Sequence, residues 1–390
     1  MTATTFSVMI SIFTSAAAPL PATGEETKAV SLVEQLGAKS FRTREMAAKE
    51  LVNLGAASMQ ALQRGTKSED AEVADRCKKL LPQAYEFYVL KILDEVSAKP
   101  DTPIPPDLPG AKRWVELAGT SKEAKELYTD MVKTHRVLLS DLEQNPSQVT
   151  QKYRDFVQEI YTRTRGNFNV SSGNQVVSPS EMILFLFLAT DPNNKGTGTE
   201  NGARSYLPVY TILNQAKWTT FLAPKTGVEP IKRMFVQFVE KETNPNILRR
   251  ALMIAGNAEL KECIPAAIKM AKEKNNLGMV RSYALTSLIK MGDQSTIKEL
   301  LPLMEDKGVI VNMNLGNGVK SVEVRDVAMG VALLISKQSM TDFGYEGNPP
   351  TTTSPTLSVS FSYFGFADDE KRQSAIKKWK AYAEKEGLLK

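Results

Sequence analysis

Nine residues starting at Thr43, "TREMAAKEL", place Thr43, Ala47 and Leu51 one helical turn apart, with Arg44, Glu45, Lys49 and Glu50 between them. At 3.6 residues per turn those three positions share one face, so the block predicts an amphipathic helix. The pattern returns as "VADRCKKLL" from Val73, "ILRRALMIA" from Ile247, "VRSYALTSL" from Val280 and "VRDVAMGVA" from Val324. The first position is β-branched in every copy. The fifth is always small: Ala47, Cys77, Ala251, Ala284 and Ala328. Where two helices cross closely, a small side chain lets the backbones approach, which gives the fifth position a packing role.

A second helix is predicted after several of the blocks. Gly55, Gly256 and Gly292 read as helix stops in left-handed caps. "KECIPAAI" from Lys261 and "KELLPLM" from Lys298 then align at an offset of 37, with Pro265 and Pro302 in register, while the blocks at 247 and 280 lie 33 apart. Helix pairs recurring at about 30 to 45 residues predict an all-α fold, an α-α superhelix of stacked pairs. "GVIVNMNLGNGVKSVEVRD" interrupts the array. Val309 and Val311 precede Asn317-Gly318 and Val319 and Val322 follow, so a β-hairpin is predicted near 308–324.

"EQLGAKSFRTREMAAKELVNLG" with "SEDAEVADRCKKLL" resembles HEAT-like repeats of the bacterial type, related to phycobilin-lyase HEAT-like repeats. "VRSYALTSL" and "VEVRDVAMGVALLI" carry the same Val-Arg…Ala pattern. The resemblance covers roughly 28–97 and 226–340 and is thin over 111–205. With the closing "FGFADDEKRQSAIKKWK", the arrangement also resembles bacterial HEAT-repeat proteins that have no established chemistry. The resemblance implies a solenoid in which the arginine at position two braces an acid of the next unit.

The remaining chain divides by composition. Residues 1–22 hold a short apolar run, "FSVMISIF", then small residues at Ser15 and Ala17, read as an export signal or, failing that, a disordered N-terminus. Exported protein would be periplasmic or secreted; otherwise the chain is cytoplasmic. N-terminal repeats span 28–97. Five prolines from 100 to 109 make 98–110 an expected stiff linker and the first domain boundary. Residues 111–205 are a helical region, either divergent repeats or a small bundle, with three helices over 111–165. C-terminal repeats span 206–340, a loop insertion 341–365, and a capping helix 366–390, in which Trp379 is expected to pack on the last repeat.

Chemistry is sparse. His135 is the only histidine and the cysteines are two, Cys77 and Cys263, so neither a His-based zinc site nor a catalytic triad is well supplied. The thiols read as buried small hydrophobes. "GTGTENG" at 196–202 lacks the Gly-Lys-Ser/Thr ending of a phosphate loop, and the adjacent acids Glu25-Glu26 and Asp368-Asp369 lie where helix caps place them. No catalytic, metal or cofactor-binding residue is therefore assigned. The arginines are the candidates: Arg44, Arg281 and Arg325 at position two, with Arg249 and Arg250 in a fourth copy. They read as a structural ladder or as a basic stripe for a partner. A net charge of +5 and an aromatic content of 7% disfavour nucleic acid, because a binding platform interleaves rings with cations. The expected function is a non-catalytic, monomeric scaffold for a protein or peptide. A phosphate- or nucleic-acid-binding module is the alternative, and a lyase-like enzyme a weaker one.

Overall fold

The computed structural model describes residues 24–99, 101–165, 177–196, 206–314, 319–346 and 361–389. Over these the protein is mostly helical, with 17 α-helices and one small antiparallel hairpin. The apolar run read as an export signal, the "GTGTENG" loop beyond Gly196, the Asn317-Gly318 turn and most of the 341–365 insertion lie outside the described residues. Among the described helices none is long and apolar enough to cross a membrane. The chain forms two compact units, Met1–Asn145 and Pro146–Lys390.

The first unit contains α1 (Gly24–Gln35), α2 (Phe41–Leu54), α3 (Ala56–Gly65), α4 (Ala71–Ala98), α5 (Ala111–Ala118) and α6 (Lys122–Gln144). Ser40 caps α2 by accepting from the Thr43 amide, and Asp70 caps α4 by accepting from Glu72 and Val73. Helix α2 packs on α4, so the blocks at 43 and 73 are neighbours, and their small residues Ala47 and Cys77 are buried in a core with Leu32, Leu51 and Leu62. The close approach of α3 to α4 also depends on Gly65: a Cβ there would overlap the Cys77 sulfur and press Val33 at 3.0 Å.

The proline-rich stretch packs against the helices around it. It lies inside the first unit, which ends at Asn145. Ile104 and Leu108 are buried, and three hydrogen bonds fasten the segment. Tyr88 donates to Asp107 at 2.5 Å, Tyr128 to the Pro109 carbonyl at 2.9 Å, and the Gly110 amide to Glu143 at 2.8 Å. Prolines stiffen a chain but do not keep it in water; two apolar side chains between them were enough to anchor it. The three helices expected over 111–165 are present, with α6 kinked at His135, whose φ of −123° and ψ of 19° leave the helical region.

The second unit runs through α7 (Val149–Arg165), α8 (Pro179–Ala189), α9 (Leu207–Leu213), α10 (Trp218–Phe221), α11 (Glu229–Lys241), α12 (Pro245–Asn257), α13 (Ile264–Lys272), α14 (Gly278–Met291) and α15 (Gln294–Leu300). It continues through β1 (Val309–Asn314), β2 (Val319–Glu323), α16 (Val324–Ile335) and α17 (Asp369–Lys385). Helix α8, apolar on every side, is buried from Met182 to Leu188. Helix α12 packs on α14 and α14 on α16, so the blocks at 247, 280 and 324 also lie side by side; α13 packs on α14 and α15 on α16. Ile247, Val280 and Val324 are buried, as are Ala251, Ala284 and Ala328. In the hairpin Val311 pairs with Val322 and Met313 with Lys320, and the register slips between Val309 and Val311. Helix α17 begins at its expected acid, Asp368, which accepts from the Lys371 amide, and buries Trp379.

The glycine stops divide. Gly55 does take a positive φ, 55°. Gly256 instead lies within α12, and the positive φ after that helix, 56°, falls on Glu259. Gly292 has φ −73° and needs no left-handed freedom; its requirement is space, since a Cβ there would sit 2.7 Å from Ile335 Cδ1 and 2.8 Å from the Leu288 carbonyl oxygen. A glycine in a sequence marks a place where a side chain is unwelcome without saying whether torsion or packing forbids it.

Candidate interaction face

All three position-two arginines have carboxylate partners. Arg44 on α2 sits with Nε 3.1 Å from Glu72 on α4, an ion contact without hydrogen-bond alignment, and Nη1 donates to the Ala38 carbonyl at 2.8 Å. Arg281 on α14 is buried; Nη2 meets Asp306 at 2.5 Å and Nε donates to the Ala271 carbonyl at 2.7 Å. Burial alone would raise the Asp306 pKa, but the Arg281 hydrogen bond and charge, with the Gly308 amide, leave it below the ordinary carboxylate value. Arg325 on α16 meets Glu323 at 2.6 Å and Asp369 at 3.4 Å.

Around Arg325 a buried ionic cluster joins the hairpin to α16 and α17. Asp326, 1% exposed, accepts from Arg372 Nε and from the Glu323 amide, each at 2.9 Å. Arg372 also donates to the Ser321 carbonyl at 3.0 Å and to Asp369 at 3.2 Å, while Tyr345 donates to the Asp326 carbonyl at 2.7 Å. Burial pushes the Asp326 carboxyl up to about 6, against the pull of Arg372 and the Glu323 amide. Nothing in the sequence marks Arg372; one arginine in a charged helix start gives no sign that it turns inward. The cluster's charges are spent on one another, which makes it a clasp rather than a receptor.

Arg249 and Arg250 on α12 are different. Neither has a carboxylate partner among the described residues. Arg249 lies instead between two rings: its guanidinium carbon is 4.8 Å from the Tyr283 centroid on α14 and 6.0 Å from that of Tyr210 on α9, and Nη2 donates to the Tyr210 hydroxyl at 3.2 Å. The rings continue outward in both directions. Tyr206 meets Tyr210 edge-on at 5.9 Å, and Phe361 meets Tyr283 edge-on at 4.8 Å. All of these side chains are half-buried. Arg250 Nε is buried without an acceptor, and burial, with the charge of Arg249, lowers its pKa, partly opposed by Tyr210. The expected scarcity of interleaved aromatics therefore fails here. Tyr206 and Tyr210 lie one turn apart, but Tyr283 and Phe361 are far from them in sequence, and the packing of α9 and α14 against α12 brings Tyr206, Tyr210 and Tyr283 onto one face. The other basic pair, Lys232 and Arg233, is occupied locally: Lys232 donates to the Pro224 carbonyl at 3.1 Å and Arg233 lies 3.5 Å from Glu229.

The remaining candidates hold less. Cys77 and Cys263 are free and buried, and burial raises their thiols to about 11 and about 12, respectively. His135 is half-buried at the α6 kink. Among the described residues no group of three or more His, Cys, Asp or Glu side chains is placed to hold a metal ion. A cleft of about 260 Å³ beside the end of α8 includes Asn194 and Lys241, but Asn194 donates to the Leu188 carbonyl at 3.0 Å and Lys241 to that of Thr190 at 2.5 Å. No family model matches the chain, and no curated protein or solved structure matches it either.

Proposed function

We propose that the protein is a non-catalytic, monomeric interaction scaffold of the HEAT-like kind, which takes a protein or peptide partner on the face formed by α9, α12 and α14. One observation carries the reading: a half-buried tyrosine–arginine–tyrosine sandwich at Tyr210, Arg249 and Tyr283, flanked by more rings, whose charge no acid of the described chain neutralises. Tyrosine and arginine dominate the energetics of protein interfaces because each offers a large, stiff, amphipathic contact. Support for stacked repeats comes from the recurrent blocks, which lie beside one another at α2–α4 and at α12–α14–α16. Interleaved rings are also what a single-stranded nucleic acid would use, but such a strand needs a long track of free cations, and among the described residues this face offers one arginine pair.

Selection of a random-peptide phage library on the full chain tests the face. Enriched peptides should bind the protein at least about tenfold more weakly after Tyr283→Ser, which removes the ring while leaving a small polar group. A pool that binds Tyr283→Ser as well as the unaltered protein would remove the face from consideration.

A further inference from the structure

Two arginines side by side that no acid among the described residues meets are electrostatically incomplete. Elsewhere in this protein the arginines at position two of the block are neutralised: Arg281 by Asp306, and Arg325 by Glu323 and Asp369. At 249–250 the charge of Arg249 instead depresses Arg250, and the Arg250 Nε sits buried without an acceptor. An unmet donor in a buried position is a standing cost to the free protein, and an incoming acceptor removes it once the half-buried Arg250 side chain turns outward to meet it. Arg249 is pre-positioned: the rings of Tyr210 and Tyr283 and the Tyr210 hydroxyl hold its plane, so little side-chain entropy remains to be lost on binding.

We infer that Arg249 and Arg250 form a carboxylate subsite, and that the partner is an extended peptide presenting an Asp or Glu side chain to them, with apolar or aromatic neighbours lying on Tyr206, Tyr283 and Phe361. The inference rests on the face proposed above and names the chemistry it reads. A carboxylate is the anion that fits. A planar guanidinium pairs with it in a bidentate fork, and a single acidic side chain matches a single arginine pair. A phosphate backbone would need cations in a row, and the neighbouring basic pair Lys232 and Arg233 is already engaged.

The test runs the library selection in parallel on the full-length protein and on its R249Q/R250Q variant, with urea unfolding used to check that both are folded. The unaltered protein should enrich peptides with an Asp or Glu at one fixed position beside an apolar residue, and the variant should not. A synthetic peptide from that pool should weaken about 10- to 100-fold when its acid is changed to the amide, and only on the unaltered protein. Peptides that depend on Tyr283 but carry no acid, or that bind R249Q/R250Q equally, would overturn the carboxylate subsite and leave the face standing. Enrichment indifferent to Tyr283, or none at all, would overturn both. Tighter binding of a short poly-thymidine DNA strand than of any enriched peptide, lost in R249Q/R250Q, would also overturn the inference by assigning the guanidinium pair to phosphate.

Discussion

Helices α12 and α14 come from neighbouring copies of one sequence block, and each carries arginine within the three residues before its recurrent alanine, yet the fold treats the two sites in opposite ways. Arg281 on α14 is buried, meets Asp306 at 2.5 Å and spends its Nε on a backbone carbonyl. Arg249 on α12 stays half-buried between rings, and its neighbour Arg250 buries an Nε that has no acceptor. The difference lies in position, since Arg281 is second in its block and Arg249 and Arg250 are third and fourth, and in the neighbours that each helix meets. After α14 the chain reaches Asp306 just before the hairpin, and the Asp306 carbonyl also accepts from the Arg325 amide at 2.9 Å, which fixes the acid in place. No equivalent acid among the described residues reaches the α12 pair; α9 contributes a tyrosine instead. An arginine met by an acid is a rivet, and one met by rings is still available for binding.

The sharpest way to break this comparison is to remove a rivet. Arg372→Ala should destabilise the protein by about 3–5 kcal/mol in urea unfolding, because Asp326 would be left buried without its cation. Arg281→Met keeps apolar bulk but strands Asp306, which at 15% side-chain exposure recovers some solvation; a loss of about 3 kcal/mol is expected. Losses below about 1 kcal/mol in both would mean that paired and unpaired arginines are energetically alike, and the contrast between rivet and open site would fail.

Acidity separates the sites more gently. The Asp326 carboxyl is raised in the folded protein to about 6, above its value of about 3.8 in an unfolded chain. The folded state therefore holds its proton more tightly. The associated stabilisation is complete below the unfolded value and is lost as pH rises through about 6. Relative to Asp326→Asn, which cannot titrate, the unaltered protein should gain about 2 kcal/mol of unfolding free energy between pH 7 and pH 4.5. A difference that stays flat over that interval would show that Arg372 holds the carboxylate ionised throughout.

The smallest effect is expected at the open site. Arg250→Leu should change stability by no more than about 0.5 kcal/mol, or raise it, since it deletes a charge repelled by Arg249 and a buried donor with no acceptor. A loss of about 2 kcal/mol or more there would mean that Arg250 is structural and that the contrast between α12 and α14 is false.

Much of the fold was legible in the order of residues, and the candidate site was legible only in part. Helical periodicity and the small fifth position are local, repeated signals, so the block helices, the hairpin at 308–324 and the cap at Asp368 could be read directly. The arginines could be read too: Arg44, Arg281 and Arg325 recur in register at position two, and Arg249 and Arg250 stand one and two positions later in their own block. Their surroundings could not. Gly292 shows the same limit in the backbone: the residue type was visible, and the contact that makes it necessary was not.

The amino-acid order therefore settles whatever depends on neighbours within a turn or two: which segments coil, which side of each is oily, where a helix starts. Which arginine finds an acid and which finds a tyrosine depends on residues brought together from separate helices, as Arg249 is with Tyr210 and Tyr283. Coulomb and ring contacts act over a few ångströms in space and take no account of distance along the chain, so tertiary packing alone decides which arginines become part of the protein's frame and which remain to meet something else.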